Sequence, residues 1–217
     1  MTLHEANRKF YDRISDAYDF MADANEKVAR QAGVAALELK PGERVLELGF
    51  GTGNEVIDLA RLVGATGQVV GIDISSGMLA VARRKIIQAV PDANIDLKIA
   101  DARKLPFADA SFDAVYCSFT LELFADEEIP GVVREVRRVL KPTGRFSVVA
   151  MAKPTTGSHI SFLEKTYVWM HHHFPHIVDC HPIDVAGVVG GNGFSVVKEA
   201  GMEIWSLPVA NVVGKPV

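Results

Sequence analysis

Val45-Leu46-Glu47-Leu48-Gly49-Phe50-Gly51-Thr52-Gly53 runs from an apolar stretch straight into three alternating glycines. Such a stretch reads as a buried strand that ends in a tight turn, where bare backbone can approach a ligand closely. The Gly-x-Gly-x-Gly spacing differs from the Gly-x-Gly-x-x-Gly of dinucleotide-binding enzymes. An acidic residue, Glu47, stands two positions before the first glycine. In an open α/β sheet this turn lies beyond the carboxyl ends of the strands, at the point where strand order reverses, and ligands bind there.

The neighbouring sequence supports that sheet. After the glycines, Val56, Leu59, Ala60 and Val63 recur at helical spacing and Gly64 supplies a stop. Gln68–Ile74 is a second strand, Gly77–Ala89 a helix, Ile95–Ala100 a third strand and Phe112–Phe119 a fourth. Ile129, Val132, Val133, Val136 and Leu140 give the next helix an apolar face. Lys141-Pro142-Thr143-Gly144 reads as a turn into a fifth strand, Arg145–Ala150. Strands this continuously apolar are covered on both faces, which means a parallel sheet with helices on either side. Residues 4–39 read as helices. Ile160, Leu163, Tyr167 and Met170 fit one helix face, Ile183–Asn192 a short helix, and Phe194–Trp205 with Leu207–Val213 a final strand pair at the sheet edge.

Two acids stand where strands end. Asp73 closes the second strand, and a carboxylate there accepts hydrogen bonds from ribose hydroxyls. Asp101, in Ala100-Asp101-Ala102, follows the third strand, where an acid can accept from an adenine amino group and a backbone N–H can donate to a ring nitrogen.

These motifs, together with Phe107-Ala108-Asp109-Ala110-Ser111-Phe112-Asp113 and Leu140-Lys141-Pro142-Thr143-Gly144, resemble in order and spacing those of class I S-adenosylmethionine-dependent methyltransferases over roughly residues 40–150. Within that family the chain is similar to the ubiquinone/menaquinone-biosynthesis C-methyltransferases and their small-molecule relatives. Phe10-Tyr11-Asp12-Arg13-Ile14-Ser15-Asp16-Ala17-Tyr18-Asp19 resembles their opening helix. The resemblance implies a seven-stranded, mostly parallel, doubly wound Rossmann-like sheet whose last strand is antiparallel. It also implies S-adenosyl-L-methionine as cofactor, held by Glu47, Gly49, Gly51, Thr52, Gly53, Asp73, Ile74, Met78, Asp101, Ala102, Ser118 and Tyr18. In that scheme the glycine turn holds the methionyl part and the ribose, and Asp73 takes both ribose hydroxyls. Ile74 and Met78 flank the adenine, Asp101 and Ala102 read its edge, and Ser118 lies near the methionyl end. Phe50 departs from the family's usual small or polar residue, and the C-terminal part matches the quinone enzymes less closely.

Composition bounds the rest. A chain of 217 residues suits a single domain, divided as a helical lid over 1–40, a cofactor core over 41–152, a substrate lid over 153–193 and a strand pair over 194–217. The net charge of −4 gives no reason to expect a nucleic acid partner. Two cysteines make no disulfide framework, Met1–Phe10 lacks the apolar core of a signal peptide, and no apolar run reaches the ~20 residues that span a bilayer. The expectation is a cytoplasmic monomer or homodimer acting on a small-molecule acceptor, with peripheral membrane contact left open.

The reading is an enzyme of class 2.1.1 that moves a methyl group by in-line displacement onto a small, lipophilic acceptor. Two alternatives stand beside it: a phospholipid head-group N-methyltransferase, and a non-catalytic S-adenosylmethionine-binding module. Cys117-Ser118-Phe119-Thr120 occupies the place where enzymes that methylate nucleic acid bases carry an Asn/Asp-Pro-Pro-aromatic run, which argues for a small molecule. A polyamine-type aminopropyl transfer would need more acids than Glu122 and Asp126 after the fourth strand. His171-His172-His173-Phe174-Pro175-His176 invites a metal, but three adjacent rings on a helix do not converge on one ion. We expect none, and hold His171 and His176 as candidate general bases.

Overall fold

The computed structural model describes residues 3–14, 18–153, 181–204 and 207–217. The elements run α1 (Leu3–Ile14), α2 (Tyr18–Ala36), β1 (Arg44–Leu48), α3 (Asn54–Val63), β2 (Gln68–Asp73), α4 (Ser76–Ala89), β3 (Ile95–Ile99) and β4 (Phe112–Ser118). After a short 3₁₀ turn at Leu121–Leu123 come α5 (Ile129–Val139), β5 (Leu140–Met151), α6 (Val185–Gly190), β6 (Phe194–Ile204) and β7 (Leu207–Pro216).

The strands form one seven-stranded sheet in the order β3-β2-β1-β4-β5-β7-β6. β1 lies between β2 and β4, parallel to both, with Leu48 beside Ile72 on one side and Cys117 on the other. β7 runs antiparallel to both of its neighbours, β5 and β6. The chain moves outward through β2 and β3, then returns past β1 to β4. The order therefore reverses between β1 and β4, and a crevice opens at their carboxyl ends.

Alternation along each strand divides the apolar residues between two cores. Leu46, Leu48, Val70, Ile72, Val115 and Cys117 pack with Val132, Val136 and Val139 of α5 and Val189 of α6. Val45, Val69, Ala114 and Tyr116 point the other way, onto Ala29 of α2, Val56 and Leu59 of α3 and Met78 and Ala82 of α4. Helices thus cover both faces, as near-continuous apolar strands require. α2 lies close on the sheet because Gly33 has no side chain: a Cβ there would stand 2.3 Å from Val149 Cγ2 and 3.0 Å from Tyr116 Cε2. Tyr116 Oη donates to the Arg30 carbonyl at 2.9 Å and Ser147 Oγ to the Gly33 carbonyl at 2.9 Å, which ties the helix to β4 and β5.

Two elements differ from expectation. β5 begins at Leu140, ahead of the expected turn, because the β4–β5 ladder pairs Phe112 with Leu140 and then steps to Ala114 with Arg145. Pro142 and Thr143 are exposed, so the turn residues form an excursion within the strand. The helix expected over Ile183–Asn192 is shorter. It starts where the Asp184 carboxylate accepts the Gly187 N–H at 2.9 Å. The helix face at Ile160–Met170 and the histidines His171 and His176 lie outside the described residues. Among the described residues, no helix is long and apolar enough to cross a membrane and no cluster of His, Cys, Asp and Glu is suited to hold a metal ion.

Candidate active site

β1 leaves the sheet through the glycine turn, which hangs from the neighbouring strand. The N–H groups of Gly49 and Phe50 both donate to the Ile72 carbonyl, at 2.8 and 3.2 Å. Gly49, Gly51 and Gly53 all have positive φ, at 71°, 51° and 82°. At Gly49 a Cβ would stand 2.2 Å from Thr120 Oγ1, so the glycine lets the segment after β4 close onto the turn. At Gly51 a Cβ would meet nothing within 4 Å, which leaves open space against bare backbone. That is the cradle a bulky ligand needs.

Asp73 organises the rim. Its carboxylate accepts the Gly51 N–H at 2.9 Å and the Ser75 N–H at 2.9 Å, binding the end of β2 to the glycine turn. Burial pushes its pKa above the usual carboxylate range, against the lowering by the N–H groups of Ser75, Gly51 and Ile74. Ser75 caps α4 by accepting the Met78 N–H at 3.1 Å, and its own hydroxyl donates to Asp12 of α1 at 2.7 Å. The same Asp12 oxygen accepts the Gly77 N–H at 2.9 Å, so α1 is anchored on the start of α4. At its other end, Asn7 Nδ2 donates to the Leu123 carbonyl at 3.2 Å. α1 therefore bridges two walls of the crevice.

Between these walls lies a cavity that is partly open to solvent. Gly49, Gly51, Thr52, Asp73, Ile74 and Met78 form one side. Ala100 and Ala102, after β3, and Ser118, after β4, also line it. Phe119 adopts a left-handed backbone (φ 45°), uncommon for a bulky residue, and turns the chain sharply out of β4 toward the cavity. Thr120, Leu123 and Phe124 continue that wall, and Asn7 and Tyr11 of α1 also line the cavity. At the floor the buried Arg30 guanidinium, also facing the cavity, pairs with Glu55 at 3.1 Å and Glu26 at 3.3 Å. Lys85 Nζ donates to Thr52 Oγ1 at 3.2 Å and to Asn54 Oδ1 at 2.7 Å, fixing the far end of the glycine turn.

Of the residues singled out from the sequence, Gly49, Gly51, Thr52, Asp73, Ile74, Met78, Ala102 and Ser118 come together on this wall. Gly53 sits just behind, packed against Ala82. Glu47 lies within the sheet at 1% exposure, and its Oε2 meets no donor among the described residues. Burial, then repulsion from Glu55, raises its pKa well above the carboxylate range. Asp101 is held by Arg103, which meets both carboxylate oxygens, with Nη2 at 2.6 Å, and also reaches Glu128 on the cavity wall at 2.6 Å. Tyr18 is the first residue of α2, and its side chain lies outside the description. The sequence reading missed Asn7, Arg30, Glu55, Leu123, Phe124 and Glu128 on the wall. None belongs to a local motif, and long-range packing brings them in.

The sheet order, with the glycine turn at its point of reversal, defines a doubly wound α/β domain. The comparisons agree. Residues 45–144 match a methyltransferase domain family. The chain is 37% identical over 152 residues to a demethylmenaquinone methyltransferase of Symbiobacterium thermophilum, covering 68% of this chain and 59% of that one. It is 32% identical over 159 residues to a 2-phytyl-1,4-naphtoquinone methyltransferase of Trichormus variabilis, covering 71% and 69%. The [4+2]-cyclase SpnF superposes with a TM-score of 0.76 at 18% identity, covering 97% and 95% of the two chains. A SAM-dependent methyltransferase of Aquifex aeolicus superposes at 0.68 and 19% identity, covering 93% and 98%. At such low identity these structures speak for the fold alone. The chain belongs to the class I S-adenosylmethionine-dependent methyltransferases, whose cofactor is S-adenosylmethionine. Within them it is similar to enzymes named for quinone substrates, and the alignment with the Symbiobacterium enzyme takes in 59% of that relative's length.

Proposed function

We propose that this chain transfers a methyl group from S-adenosylmethionine to a small, apolar, quinone-precursor-like acceptor. The observation that carries the reading is the rim around Asp73: a partly buried carboxylate that holds the glycine turn beside open space at Gly51. In this reading Asp73 accepts from both ribose hydroxyls, and the turn from Gly49 to Gly53, with Ser118, takes the methionyl end. Ile74 and Met78 flank the adenine, and the Ala102 N–H meets its edge. Asp101 joins that edge by turning from Arg103. Glu47 supports the turn from below, and Tyr18 belongs to the N-terminal cover over residues 1–40.

Bound S-adenosylmethionine supplies a methyl carbon already activated by positive sulfur. The protein's task is then orientation and exclusion of water. Phe119, Leu123 and Phe124 on one wall and Tyr11 on the other present apolar surface suited to a flat ring. The names of the Symbiobacterium and Trichormus relatives, both quinone methyltransferases, point to the same class of acceptor.

The direct test is transfer of labelled methyl to a reduced naphthoquinone bearing an isoprenoid tail, run beside phosphatidylethanolamine vesicles. Label on the quinol ring is the expected result. Label on the lipid amine would replace this reading with head-group methylation, and cofactor binding without transfer to either would favour a binding module.

A further inference from the structure

Asn7 is a polar group on the cavity wall whose hydrogen-bonding capacity is only partly used within the fold. It is 6% exposed, sits on α1 and faces the cavity beside Leu123 and Tyr11. Its single hydrogen bond runs from Nδ2 to the Leu123 carbonyl, 116 residues away in sequence. A carboxamide offers two donors and an acceptor with two lone pairs. Among the described residues, nothing meets the second N–H or Oδ1. A backbone carbonyl only accepts, so the bond to Leu123 fixes which end of the amide is nitrogen and leaves Oδ1 as an acceptor.

α1 is not free to roll and hide this oxygen. Asp12, at the far end of the helix, is held by Ser75 Oγ and the Gly77 N–H. Asn7 and Tyr11 are one helical turn apart and share the face that lines the cavity. An amide oxygen on an open cavity wall meets water until a ligand displaces it. A ligand that brings a donor restores that hydrogen bond, and a ligand of the same shape without one leaves Oδ1 covered and unmet.

We propose that Asn7 is a specificity-determining residue: its Oδ1 accepts a hydrogen bond from a ring hydroxyl of the acceptor, so that hydroxylated aromatics are taken and their methyl ethers refused. The inference rests on the methyl-transfer reading for the acceptor's place in this cavity. The cofactor's own donors, its amino groups and ribose hydroxyls, are the others that a ligand here could bring, and the experiment separates acceptor from cofactor.

The test titrates the full chain, saturated with S-adenosylhomocysteine, with 1-naphthol and with 1-methoxynaphthalene. It is repeated on Asn7→Leu, an apolar replacement of similar size. Wild type is expected to bind the naphthol about tenfold more tightly than the ether, one hydrogen bond's worth of affinity. Asn7→Leu is expected to bind both equally, with affinity for S-adenosylhomocysteine within twofold of wild type. Equal binding of both probes by wild type, or no saturable naphthol binding, would overturn the proposal without recourse to any variant. A tenfold loss of S-adenosylhomocysteine affinity in Asn7→Leu would overturn it too, by assigning Asn7 to the cofactor. Should the proposed methyl transfer fail instead, the labelled-methyl assay would be blank while the two naphthalenes remained distinguished.

Discussion

Glu47 and Asp73 stand on neighbouring strands, and burial raises the pKa of both while their hydrogen bonding differs. Asp73 has its donors: the backbone N–H groups of Gly51 and Ser75 each reach it at 2.9 Å. Glu47 has an oxygen without a donor among the described residues and an acid, Glu55, nearby. Its raised folded pKa has a definite consequence for stability. Relative to the unfolded chain, the folded state holds the proton more tightly, so this contribution is complete below the unfolded carboxylate pKa. It is lost as pH rises through the raised folded value. Glu47→Gln removes the titration. Melting of the apo protein between about pH 5 and pH 9 should show the variant gaining on wild type as pH rises. A constant offset across that range would mean Glu47 is charged and satisfied. At this scale the sequence spoke clearly where a residue's task is local. Gly49, Gly51 and Asp73 were legible from spacing alone because strand, turn and strand end are contiguous. Asp101 was legible as an acid at a strand end, yet its grip by Arg103, two residues on, is a side-chain choice that spacing does not report. Asn7 and Arg30 gave no signal, since what makes them wall residues is the approach of chain from far away.

Among the elements, α2 shows how closely a helix must sit for the floor of the site to exist. Arg30 enters the cavity because the next turn of the helix, at Gly33, rests directly on Val149 and Tyr116. Gly33→Ala would push a methyl into that contact. We expect a cost of about 1–3 kcal/mol from overpacking, read as a melting temperature lower by several degrees. An unchanged melting temperature would show that α2 is not held to the sheet as described. The helices and strands from Arg44 to Val139 were readable because apolar period and glycine stops agree along that stretch. The start of β5 was not, because Pro142 and Gly144 punctuate a strand as readily as a loop. Only the pairing of Phe112 with Leu140 and of Ala114 with Arg145 tells the two apart.

For the whole molecule, the decisive fact is where the sheet reverses. β1 lies between β2 and β4, and every residue on the glycine side of the cavity comes from the carboxyl end of β1 or β2 or from the start of α4. Repeated β-α units made that order expectable, since crossover connections of one hand leave few alternatives. The antiparallel last strand was implied by the family resemblance and is present in the sheet; its place between β5 and β6 is what the structure adds. The segment 154–180, with the candidate bases His171 and His176, lies outside the described residues.

The central claim is that this crevice is the S-adenosylmethionine site and that Asp73 anchors it. It is tested most directly by calorimetric titration of the purified chain with S-adenosylmethionine, beside Asp73→Ala. Wild type should bind saturably, one to one, and the variant should lose at least about a hundredfold in affinity, the lower end of what two hydrogen bonds to a charged acceptor contribute. Folded wild-type protein that takes up no S-adenosylmethionine, or an Asp73→Ala variant that binds as tightly as wild type, would contradict it.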